Sequence, residues 1–238
     1  MIFTVGLAGK KVQIQCIYPE LRNFFKDYIV EDDSYDFAVS WTEADILKER
    51  EHSEDNTFSL PYLETLAALR KIAEVLPQQN RILMHGASIS YMDKGYLFTA
   101  VSGTGKSTHI RLWRKHLGEQ VQIVNGDKPF LSVEDGTVRI YGSPWAGKEN
   151  WHRNRSVELN GICFLNRGTT NRIRQMDPEE CLSLVFNQIY MPEDPVSTGL
   201  TLELLDKLLT NVPLYYLECD ISEEAVRCSF EAMTGLPY

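Results

Sequence analysis

Apolar and polar positions alternate from the first residues of the chain. Ile2, Phe3 and Val5, then Val12, Ile14 and Cys16, predict two strands around a turn punctuated by Gly6 and Gly9. Leu21, Phe24, Phe25 and Tyr28 follow Pro19 and predict a short helix with the proline in its first turn. Residues 37–41 read as a third strand. Residues 43–56 are dense in charge and predict a solvated strand end and loop. Leu63, Leu66, Leu69, Ile72, Ala73 and Leu76 recur at three- and four-residue spacing, which predicts a helix from about Ser59 that Pro77 stops. This gives a small α+β N-terminal subdomain over 1–77 and a larger unit over 78–238.

The larger unit begins rich in strands. Residues 82–85, 87–91 and 96–100 are apolar runs too closely spaced to hold a helix, so they predict antiparallel neighbours rather than a purely parallel, doubly wound sheet. A helix over 106–116 follows, then a strand over 121–124. Residues 131–133 and 137–141 flank Glu134-Asp135-Gly136, a hairpin signal. A short buried strand falls at 162–165. Asp177-Pro178-Glu179-Glu180 combines an N-cap, a first-turn proline and a reciprocal glutamate, and so starts a helix. Residues 200–209 read as another helix, 214–217 as a strand, and 223–233 as a last helix closed by Gly235.

Chemistry concentrates where the strand over 96–100 meets the next helix. Ala100-Val101-Ser102-Gly103-Thr104-Gly105-Lys106-Ser107-Thr108 fits the phosphate-binding pattern G-x-x-x-x-G-K-[ST], with Ala100 at the first glycine. Glycines let successive N–H groups turn toward one anion, and the helix that follows offers its amide end to phosphate. Ser102, Gly103, Thr104, Gly105, Lys106, Ser107 and Thr108 are therefore the candidate nucleotide-binding residues. Lys106 would bridge phosphates, and Ser107 would ligate Mg²⁺. Asp127 ends the strand after that helix, where a second metal-site carboxylate belongs; the plainer reading is an ordinary Asn-Gly-Asp turn.

From Met84 to about Ile173 the chain resembles the family that joins HPr kinase and phosphoenolpyruvate carboxykinase, especially its small bacterial HPr-kinase-like serine kinases. The resemblance rests on His85-Gly86-Ala87, the loop 102–108, Asn125-Gly126-Asp127-Lys128-Pro129 and Gly142-Ser143-Pro144-Trp145-Ala146-Gly147-Lys148. It implies a mixed-sheet α/β P-loop kinase core. It implies ATP and Mg²⁺, and transfer of the γ-phosphoryl to a hydroxyl: serine of a peptide, a small protein or the free amino acid. By position, His85 would lie near the transferred phosphate and share the base role. Asp127 would ligate Mg²⁺ or act as base, and Lys148 would stabilise charge from a later active-site loop. Relatives often carry two adjacent aspartates. Here position 126 is glycine, which leaves one carboxylate for two tasks. An ATP-binding regulatory protein without transfer is the alternative of a different class. A carboxykinase is a weaker one, because the chain is short and lacks a second cluster of metal ligands.

Trp145 reads either as part of a loop that closes on substrate or as an aromatic plug in a packed turn. Arg153 and Arg155 belong to a basic stretch with Arg167, Arg172 and Arg174, read either as substrate-binding or as a solvated face. His109, inside the helix after the loop, reads as structural.

Composition narrows the rest. Lys+Arg number 24 against 33 Asp+Glu, a net charge of −9, which disfavours nucleic acid as a partner. Five cysteines, none spaced as C-x-x-C, argue against a zinc site or a disulfide framework. No signal peptide or membrane span is visible, so the expectation is a cytoplasmic protein. The resemblance leaves a homo-oligomer open.

Overall fold

A computed structural model describes residues 1–32, 34–52 and 57–238. Strands β1 (Ile2–Leu7) and β2 (Lys10–Gln15) form an antiparallel hairpin. After helix α1 (Glu20–Phe24), strand β3 (Phe37–Ser40) adds parallel to β2. Pro19 is the N-cap of α1 rather than a first-turn residue. Phe3, Val5, Leu7, Val12 and Ile14 are buried against helix α3 (Leu60–Val75), whose Leu63, Ala67 and Ile72 face them at helical spacing.

The charged stretch after β3 departs from expectation. It contains helix α2 (Glu43–Glu51) instead of a loop. Thr42 and Asp45 cap it reciprocally, each side chain accepting from the other's backbone N–H. Glu49 pairs with Arg70 at 2.5 Å and Asp45 with Lys71 at 2.9 Å, so ion pairs as well as apolar contacts hold it to α3. Such a helix carries almost no periodic apolar signal. Residues 53–56 of that run lie outside the described residues.

The second sheet has nine strands. They are β4 (Arg81–Leu83), β5 (Ala87–Tyr91), β6 (Lys94–Thr99), β7 (Val121–Asn125), β8 (Phe130–Glu134), β9 (Thr137–Tyr141), β10 (Ser156–Arg167), β11 (Arg172–Met176) and β12 (Leu214–Cys219). The order β4-β8-β9-β10-β6-β5-β7 mixes parallel and antiparallel pairs, and β5 and β6 are antiparallel as the spacing predicts. The 12-residue β10 is the branch point. Residues 156–158 pair with β9, and residues 162–167 pair with β12 in parallel. The expected strand over 162–165 is thus only part of β10. β11, antiparallel to β12, comes from a basic stretch with no strand signature.

Strand residues divide between two cores with period two. Tyr96, Phe98, Ile123, Cys163 and Leu165 meet helix α4 (Lys106–Leu117) and helix α7 (Glu223–Thr234), through Trp113 and Phe230. Leu97, Val124, Ile162 and Phe164 meet helices α5 (Pro178–Phe186) and α6 (Pro195–Asn211). The apolar cluster of the small sheet also takes in Leu83, Phe130 and Trp145 from beyond residue 77. No helix among the described residues is long and apolar enough to cross a membrane.

Topology gathers the candidate residues at one edge. β6, β10 and β12 run parallel and end together. β5 opposes β6 and begins there, and β7 opposes β5 and ends there. The glycine-rich loop over 102–108, His85 and Asp127 therefore emerge side by side, outside the carboxyl ends of parallel strands, where α/β sheets place ligands.

Candidate active site

The loop between β6 and α4 turns through Gly103 (φ +79°) and Gly105 (φ +122°). A Cβ built at either glycine would meet nothing within 4 Å, so the space above the loop is open. That combination of left-handed backbone and open space suits an anion held by N–H groups. Ser102 and Gly103 are exposed, while Thr104, Ser107 and Thr108 are half-buried. Arg167, at the end of β10, holds the loop from behind. Its Nε donates to Thr104 O at 3.1 Å and its Nη2 to Gly103 O. The sequence shows an arginine there but not that it reaches the loop.

Lys106 opens α4 with its side chain almost fully buried, and its Nζ donates to Ala100 O at 3.1 Å. Burial lowers its pKa, Asp127 opposes that, and Lys128 adds to it. The ammonium thus lies within the field of the Asp127 carboxylate.

Asp127 sits on a turn shaped by Asn125. Asn125 Oδ1 accepts from Asp127 N at 2.8 Å and Lys128 N at 2.7 Å, while its Nδ2 donates to Ser143 O at 2.8 Å. This is an Asx turn, so the plain Asn-Gly-Asp reading and the site reading describe the same residues. Burial opposes ionisation of Asp127, but the hydrogen bond to His85 and the charges of Lys128, His85 and Lys106 outweigh it, and the carboxyl is held below its ordinary range. His85 Nε2 lies 3.3 Å from Asp127 Oδ1, and its Nδ1 lies 3.0 Å from Gln188 Oε1. Gln188 also accepts the His85 backbone N–H through its main-chain carbonyl, at 2.6 Å. No sequence signal marks Gln188, because it enters from the α5–α6 connection.

The other candidates fall elsewhere. Lys148 is exposed on the rim of a cavity that Asp127 also lines. Trp145 is buried, 5.5 Å from Phe24 and 5.3 Å from Phe25 between ring centroids, and its Nε1 donates to Thr65 O at 2.8 Å. It is the plug of the turn and the back wall of that cavity. Arg153 and Arg155 are not brought to the site. Both reach Gln122 Oε1, and Arg155 pairs with Asp93 at 3.2 Å, so they lie toward the start of β7, away from Asp127 beyond its end. The backbone that carries them pairs with Val124 and Gly142, which turns their side chains from the phosphate loop.

A cavity of about 320 Å³ adjoins the loop, lined by Thr108, Leu112, Leu165, Arg167, Cys219 and Asp220. Burial, with Asp220 and Cys228, pushes the Cys219 thiol up to about 11, so it stays protonated there. Among the described residues, no three His, Cys, Asp or Glu side chains converge as a metal site.

No protein-family model matches the chain, and no curated protein matches it either. Among solved structures, it is similar to the HPr(Ser) kinase/phosphatase from Coxiella burnetii, at 15% identity and a TM-score of 0.36, over 64% of this chain and 93% of that one. The likeness is a distant one of fold, and the site stands on its own residues.

Proposed function

We propose that the protein is an ATP- and Mg²⁺-dependent phosphotransferase that moves the γ-phosphoryl to an acceptor hydroxyl. The observation that carries this reading is that an open, glycine-turned loop bearing Lys106 emerges at the same sheet edge as the paired Asp127 and His85. The loop amides and Lys106 hold the phosphates, and the adjoining cavity takes the nucleoside. Ser107 and Asp127 would hold Mg²⁺, which when bound would supply charge neutralisation at the phosphates.

The acceptor oxygen forms a bond to the γ-phosphorus as the bond to the β,γ-bridging oxygen breaks. The hydroxyl proton passes to the Asp127–His85 pair, and ADP leaves. His85 steadies the carboxylate, and Gln188 fixes the ring. The chain's own share is positioning and charge, since phosphoryl transfer asks for little covalent chemistry.

The test is transfer from γ-labelled ATP with Mg²⁺ to free serine, free threonine and serine peptides. Lys106→Ala is expected to lose ATP binding and labelling together. Asp127→Asn is expected to lose labelling by roughly 10²–10⁴-fold, the usual scale for a general base, while ATP still binds. A wild type that does not bind ATP would overturn the reading. The second reading, nucleotide binding without transfer, is favoured by the closed space at Gly126, where a Cβ would lie 2.8 Å from Ala146 O and leave no room for a second carboxylate. It predicts ATP binding with no labelled acceptor.

A further inference from the structure

Helix α3 turns one face toward the Asp127 turn. Tyr62, Leu66, Leu69 and Arg70 share that face, at three-, four-, seven- and eight-residue separations. Two cavities open between this face and the end of β7. The first, about 340 Å³, has walls of Leu66, Leu69, Leu83 and Ile189, and His85 and Lys128 line it. The second, about 330 Å³, is walled by Phe24, Tyr62, Leu66 and Trp145, and Asp127, Lys128 and Lys148 line it. Leu66 and Lys128 belong to both, so the cavities adjoin. His85 faces one and Asp127 the other, which puts the pair at their junction.

We propose that the two cavities form one groove that binds an extended polypeptide acceptor. Its hydroxyl residue lies at the Lys128 junction, and apolar side chains on either side enter the two cavities. This rests on the phosphotransferase reading above and names its acceptor class. A free amino acid would occupy the junction and leave apolar walls wet in both directions. Each cavity is of a size that holds a drug-sized molecule, and a strand advancing about 3.3 Å per residue carries neighbouring side chains into each. Charge adds a constraint. Lys148 makes no ion pair among the described residues and stands beside Lys128 on the Trp145 side, so the acceptor carries an acidic residue at that end. The N-terminal sheet and α3 thereby select the acceptor, while the large sheet supplies the phosphate site.

The test uses the full chain with Mg²⁺ and labelled ATP. The acceptors are a degenerate peptide library with a fixed central serine, and free serine. Expected are selected peptides with apolar flanks and an acidic residue on one side, labelled at a kcat/KM roughly tenfold or more above free serine. Tyr62→Ala, at an exposed position, and Leu66→Glu are each expected to raise the peptide KM roughly tenfold. ATP affinity should not change, and the peptide KM should rise more than the KM for free serine. Free serine labelled as well as the best peptide would overturn the groove, and so would an unchanged peptide KM in both variants. Either result leaves the phosphotransferase standing. ATP binding without labelling of any acceptor would also overturn the groove. A wild type that binds no ATP removes the phosphotransferase reading, and the groove with it.

Discussion

Gly126 shows how a single position differs between motif and molecule. As a motif position it is a missing carboxylate. In the fold it is a point of close approach: its N–H donates to Trp151 O at 2.8 Å, and the space where a Cβ would stand is taken by the Ala146 carbonyl. An aspartate there would push the turn away from the strap that runs behind it. Gly126→Asp is therefore expected to destabilise the protein by about 1–3 kcal/mol, the usual cost of overpacking, without raising transfer. Urea midpoints of the two proteins check this, and unchanged stability would show that the strap yields freely. The glycine was legible in the sequence, but its reason was not. Nothing near it in the chain says that residues 146 and 151 return to it. Asn125 contrasts with this, because an Asx turn is built from adjacent residues and its pattern is local.

At the scale of elements, the segment over 144–154 ties the two sheets together. Trp145 is anchored to α3 through Thr65 O, and His152 Nδ1 lies 3.1 Å from the Tyr28 hydroxyl. Asn154 Nδ2 donates to Asp27 O at 3.1 Å. Trp145→Ala is expected to cost about 3–5 kcal/mol, by opening a cavity among Phe24, Phe25 and Phe130. Trp145→Phe, which keeps a ring in place and gives up the indole N–H bond to Thr65 O, is expected to cost about 0.5–1.5 kcal/mol. Thermal unfolding ranks the two, and equal losses would mean that the indole hydrogen bond carries the whole effect. α3 was readable from its apolar spacing, α4 from its place after the glycine-rich loop, and α7 from the glycine that closes it. α2 was not, because caps and ion pairs to α3 stand in for an apolar stripe. β11 was missed because it is an edge strand whose partner, β12, lies about forty residues further along, and its arginines face solvent.

At the scale of the molecule, the site depends on a core that carries a histidine. His109 is buried against Phe98, with its Nε2 3.0 Å from Ser229 Oγ and 3.2 Å from Trp113 Nε1. Burial pushes its pKa from its ordinary value of 6.5 down to about 4. The unfolded chain then takes up the proton first as pH falls. Stability is full above about 6.5 and declines toward pH 4, by an amount on the order of 3 kcal/mol. Urea unfolding across that range should show the slope, and His109→Gln should flatten it. A wild type of constant stability from pH 7 to 4 would contradict a neutral buried ring. The large-scale plan follows the same division between local and distant causes. By itself the sequence determined the glycine-rich loop over 102–108, the strand that enters it, the helix that leaves it and the turn that carries Asp127. Each of these is written in residues that neighbour one another along the chain. Only the tertiary structure decided that Gln188 holds His85, that Arg167 reaches the loop, that Arg153 and Arg155 turn away, and that α3 lines the cavities beside His85 and Asp127. Those contacts join residues tens of positions apart, and packing, not local pattern, chooses among the partners a side chain can have.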